Sequence, residues 1–98
     1  MNISRHILNE ALDLSLEWEH SPAERLSARI RGLFPELSKQ ESLDIEKICK
    51  DVKRHALEKA KIAQNRQELS VLISDRYNFI SPHNLENISR QAWFWVLK

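Results

Sequence analysis

The sequence predicts an all-α fold: a compact bundle of four to five helices with short loops and one long central helix. Two observations carry this. One glycine and three prolines in 98 residues are too few turn formers for a strand-rich fold, which must reverse direction often. Apolar residues also recur at spacings of three and four along most of the chain, the period of helices with one buried face. The length fits one helical domain, residues 1–98, with a modest core of its own.

The first helix is expected from Ser4 to Glu19, with Ile7, Leu8, Ala11, Leu12, Leu14, Leu16 and Trp18 on a broad apolar face. His20 follows it, and then Ser21, Pro22 and Glu24 form a helix-start signal: a capping serine, a proline suited to the first helical position, and a glutamate that reaches back. The second helix buries Ala23, Leu26, Ile30 and Leu33, with Gly32 marking its C-terminal end. After Pro35, the run Ser38 to Glu41 is a second capping box. It opens the long third helix, expected from Lys39 to about Gln64 or beyond. Its core stripe is Ile45, Ile48, Cys49, Val52, Ala56, Ala60 and Ala63, and the alanines suit close helix approach. Helix-compatible residues continue to Tyr77, so composition alone does not place a break near Asn65. A fourth helix spans Arg66 to Asn78, with Leu69, Leu72, Ile73 and Tyr77 inward. The last runs from Pro82 to the chain end after a Ser81–Pro82 start.

Composition narrows the function classes. A 42% hydrophobic and 30% charged chain is globular, not disordered. A net charge of +1 gives no overall attraction to nucleic acid, membranes or acidic substrates. No apolar run approaches the roughly 18 residues of a bilayer span, so no membrane role is expected. The N-terminus lacks the basic-then-apolar pattern of a secretory signal. The lone Cys49 excludes an intrachain disulfide and suits a reducing compartment, so the expected location is cytoplasmic.

The terminal stretch AWFWVLK raises the main functional question. At 100° per residue, Leu85, Ile88, Ala92, Trp95 and Val96 share one sector about 100° wide, an ordinary core face. Trp93, Phe94 and Leu97 fall on the side held earlier in the helix by Glu86, Asn87, Arg90 and Gln91. One packing face cannot bury both sets. Either another part of the chain folds over the second set, or a partner covers it. Cover from within the chain is the ordinary arrangement in a small bundle; aromatic side chains also suit a partner contact, because they bring large area with few rotatable bonds. The candidate partner-binding residues are therefore Trp93, Phe94 and Leu97, with Arg90 at the rim.

The expected function is protein–protein interaction of a regulatory or adaptor kind, with a homodimer among the options. The alternative is a nucleic-acid-associated factor using Lys47, Lys50, Arg54 and Lys61, a basic stripe on the third helix that could track phosphates. Asp51 and Glu58 flank that stripe and no aromatic interleaves with it for base stacking. A helix-turn-helix over residues 23–48 fails: Arg31 is charged where a buried residue is needed, Pro35 occupies the turn, and Glu41, Asp44 and Glu46 would face phosphates.

Catalysis and metal binding find no complete set. Glu17 and His20 have the spacing of a di-metal bundle motif, but no second such pair exists. Asp51 and His55 lie one turn apart, as an orienting carboxylate and a base do, yet Cys49, the nearby nucleophile, points to another face. One glycine leaves no phosphate loop. No metal, cofactor or enzymatic activity is expected.

Overall fold

The computed structural model describes residues 3–17 and 25–96. Its elements are five helices: α1 (Arg5–Leu16), α2 (Leu26–Leu33), α3 (Lys39–Ala60), α4 (Arg66–Arg76) and α5 (Pro82–Val96). The fold is all-α, and α3 is the long helix. The chain packs as two compact units, Met1–Cys49 and Lys50–Lys98, and α3 contributes to both.

In the first unit, α1 begins at Ser4, whose hydroxyl accepts the Ile7 N–H at 3.1 Å and satisfies one of the donors a helix start leaves open. Ala11, Leu12, Leu16, Ile30, Leu37, Ile45 and Cys49 supply its buried apolar side chains. The Ser38–Glu41 box forms as expected: the Glu41 N–H donates to the Ser38 hydroxyl at 3.0 Å, and the Ser38 N–H donates to the Glu41 carboxylate at 2.9 Å.

Three expectations for α2 change. The Ser21–Glu24 start signal lies outside the described residues, and Arg25, extended at φ −72° and ψ 146°, precedes a helix that begins at Leu26. Gly32 sits inside the helix without a positive φ, so it is not the left-handed residue that ends it; Phe34 is the C-cap. Leu33 is exposed rather than buried, because α2 is only eight residues long and Leu33 is its last. Phe34 is half-buried and meets the His6 ring edge to face at 6.1 Å.

In the second unit, Val52, Ala56, Ala60, Leu69, Ile73, Ile88 and Ala92 are buried. The helix expected to reach Gln64 ends at Ala60. Its last turn tightens through Lys61 N–H to the Glu58 carbonyl at 3.3 Å and Ile62 N–H to the Lys59 carbonyl at 3.1 Å. No residue there forbids a helix. The break is organised by Asn65, extended at φ −155° and ψ 171°, whose side chain accepts the Glu68 N–H at 2.8 Å and starts α4. Leu69 and Ile73 are buried on α4, whereas Leu72 and Tyr77 are half-buried. Ser70 and Ser89 join α4 to α5 by a hydroxyl–hydroxyl hydrogen bond of 2.8 Å.

Candidate functional site

The aromatic end of α5 belongs to the second unit. Burial follows the expected face through Ile88 and Ala92, which are 2% and 4% exposed. It then fails. Trp95, expected in the core, is 52% exposed, and Phe94 is 56% exposed. Trp93, placed on the outer side by its spacing, is half-buried instead, as is Val96. The helical period gives a side chain's direction around the axis. It does not say how far along the axis a neighbour extends, and cover over the Ile88–Ala92 side does not continue to Trp95. Arg90 is exposed and donates to the Asn87 side-chain oxygen at 2.9 Å. Leu97 lies outside the described residues.

Exposed large apolar side chains gather in this unit. Leu57, Ile62, Val71, Phe94 and Trp95 belong to it, and among the described residues Leu33 alone represents the first unit. Sequence reasoning missed Leu57, Ile62 and Val71. Ile62 is exposed because it leaves the helix with the turn after Ala60, which the sequence does not place.

The basic residues are placed unevenly. Lys47, Lys50 and Arg54 are exposed on α3. Lys61 is exposed but sits in the turn after α3, off the helix face assigned to it. The Arg54 guanidinium donates to the Asp51 carboxylate at 2.8 Å, and with that side chain 71% exposed the pair contributes little stability. Asp51 thus engages Arg54. The His55 ring packs edge to face on Tyr77 at 5.4 Å, and its buried Nε2 has no hydrogen-bond partner among the described residues. Arg76 covers the Tyr77 ring at 5.2 Å, and Phe79 meets it at 6.3 Å. This is a ring cluster, not a positioned acid–base pair.

The Glu17 carboxylate accepts from Arg29 at 3.1 Å, and His20 lies outside the described residues. No group of three or more metal-ligating side chains exists among the described residues. Cys49 is 2% exposed and forms no disulfide.

In the first unit, the residue that sequence reasoning missed is Glu46. Its side chain is 6% exposed, and it accepts from Arg25 at 2.7 Å and from the Ser27 N–H at 2.9 Å. Arg25 stands at the N-cap of α2 without a side-chain oxygen, so the helix start needs an acceptor from elsewhere. The sequence carries no signal of this, because Ser21 to Glu24 offer a local cap. Beside this pair lies an open groove of about 550 Å³ between α2 and the start of α3.

The chain matches no family model, no curated protein and no solved structure.

Proposed function

We propose that this protein works by protein–protein contact, as a regulatory or adaptor module, through the aromatic end of α5. The observation that supports this is the pair Phe94 and Trp95, each more than half exposed at consecutive positions of one helix. Single exposed apolar residues are ordinary, but two adjacent exposed aromatics on one helix are less so. Each ring is already about half covered, so covering the rest recovers about half of the roughly 1.5–3 kcal/mol that full burial brings. Trp93 anchors the helix end from its half-buried position, and Arg90 supplies a polar rim. The partner is a protein surface or a second copy of this chain. No catalytic step is assigned, and a single thiol kept out of disulfides suits the cytoplasm.

Light scattering behind size exclusion, on the wild type and on Phe94→Glu and Trp95→Glu, tests this. A mass above the monomer that falls to the monomer in both variants assigns the surface to self-association. A monomeric wild type with a partner that co-purifies and is lost in both variants assigns it to a heterologous contact. A monomer whose partners are all retained by both variants refutes the reading.

A second reading is phosphate-backbone contact by Lys47, Lys50 and Arg54, all exposed on α3. It requires duplex binding that falls steeply with salt and is lost on charge reversal of these residues.

A further inference from the structure

We propose that the groove between α2 and the first turns of α3 binds a phosphoryl dianion, either free phosphate or the phosphate of a small ester, held by Arg25, Arg31 and Lys39. These three cations line the groove with Ser27, Ser42 and Leu43, and no carboxylate lines it among the described residues. Arg31 and Lys39 are exposed and have no ion-pair partner among the described residues. Three like charges around one groove repel each other, and an anion relieves that repulsion.

Glu46 sets both the charge and the geometry. Among the described residues Glu46 is the acidic group bonded to Arg25 and no carboxylate lines the groove, so its three cations exceed that one carboxylate by two. A phosphate monoester carries about −1.5 to −2 at pH 7 and matches that surplus, whereas a carboxylate or a phosphodiester brings one charge. Glu46 also holds one guanidinium nitrogen of Arg25 at 2.7 Å while the Arg25 side chain stays 68% exposed. The remaining N–H groups are therefore oriented before a ligand arrives, which lowers the cost of ordering the side chain. Guanidinium forks pair with two phosphate oxygens at once, a geometry that a single ammonium cannot supply.

The helix end itself is not the site. The Ser27 N–H, one of the donors an anion would seek at the start of α2, already serves Glu46 at 2.9 Å. Recognition falls to the side chains. A volume of about 550 Å³, walled partly by Leu43, leaves room for the carbon portion of an ester beside the phosphate. This site stands apart from the reading of α5: it uses other residues in the other unit, and neither depends on the other.

Amide NMR titrations at about 20 mM ionic strength, where surface charges are weakly screened, test the site with inorganic phosphate and, separately, glycerol 3-phosphate. Sodium chloride at matched ionic strength is the control. The expected result is saturable shifts at Ser27, Arg31 and Ser42. Affinity should rise from about pH 5 towards pH 8 as each probe gains its second charge, near pH 6 for the ester and about one unit higher for inorganic phosphate. The Arg31→Gln/Lys39→Gln double variant should bind at least about tenfold more weakly. Both substituted side chains are exposed, and spectra unchanged outside the groove report that the fold persists. Arg25 is left intact because it partners buried Glu46. Tighter binding of glycerol 3-phosphate supports the site and names an ester; equal affinity supports it and names free phosphate. Shifts that chloride reproduces, shifts that fail to saturate, full affinity in the double variant, or a response to duplex DNA alone would each overturn the proposal.

Discussion

The Glu46 carboxylate accepts the Ser27 backbone N–H at 2.9 Å, so α3 supplies the N-terminal cap that α2 lacks. The same carboxylate holds Arg25 at 2.7 Å, which ties the entry of α2 to the third turn of α3 within the first unit. A helix of eight residues has little stability of its own, and this link compensates.

Glu46→Ala removes the acceptor of a buried N–H and should destabilise the protein by about 1–3 kcal/mol. Glu46→Gln keeps an acceptor oxygen and should cost less. Arg25→Ala is expected to fall between wild type and Glu46→Ala, because it leaves a mostly buried carboxylate with one partner fewer. Urea unfolding of the three variants measures this order; a Glu46→Ala midpoint equal to wild type would show that the cap contributes nothing.

The two caps made by local side chains predict similar losses. Ser38→Ala and Asn65→Ala each remove an acceptor from a first-turn N–H, at 3.0 Å and 2.8 Å, and should cost about 0.5–2 kcal/mol. Asn65→Ala carries a second consequence. It removes the group that organises the break after Ala60, so amide exchange at residues 61–66 should change more than in Ser38→Ala.

Burial separates neighbours on α4. Ile73 is fully buried and Val71 is 54% exposed. Ile73→Ala is therefore expected to lose about 2–5 kcal/mol, and Val71→Ala to stay within about 0.5 kcal/mol of wild type. Thermal unfolding of the pair checks the orientation of α4 directly.

On α5, Trp95→Glu tests burial as well as contact. Had Trp95 been in the core, the substitution would bury a charge and unfold the protein. With the ring 52% exposed, Trp95→Glu should keep the far-ultraviolet circular dichroism of wild type. Ala92→Glu, at a position 4% exposed on the same helix, should not.

Cys49 reports on opening of the fold. At 2% exposure its thiol should resist a thiol-specific reagent in the native protein and react in urea. Fast native reaction would show that the core around α3 opens readily.

Much of this molecule follows from local chemistry. Ser4, Ser38 and Asn65 are short polar side chains placed where a helix start leaves donors open, and each makes the bond that its position implies. Of the expected α3 stripe, Ile45, Cys49, Val52, Ala56 and Ala60 are buried, whereas Ile48 is half-buried and Ala63, half-buried too, lies past the end of the helix. Such features depend on residues within a turn or two of each other; a linear reading recovers the Ser38 box this way, whereas the break at Asn65 is left open because the residues around it also suit a helix. Trp95, Leu33 and Glu46 depend on something else. Trp95 and Leu33 carry the right period for burial, yet each lies at or near a helix end where cover from a neighbour runs out. Glu46 looks like one acidic residue on a helix face, and its role appears only when α2 brings an uncapped N-terminus against it. Direction around a helix is written in the spacing of its residues; what waits in that direction is set by packing between segments distant in the chain.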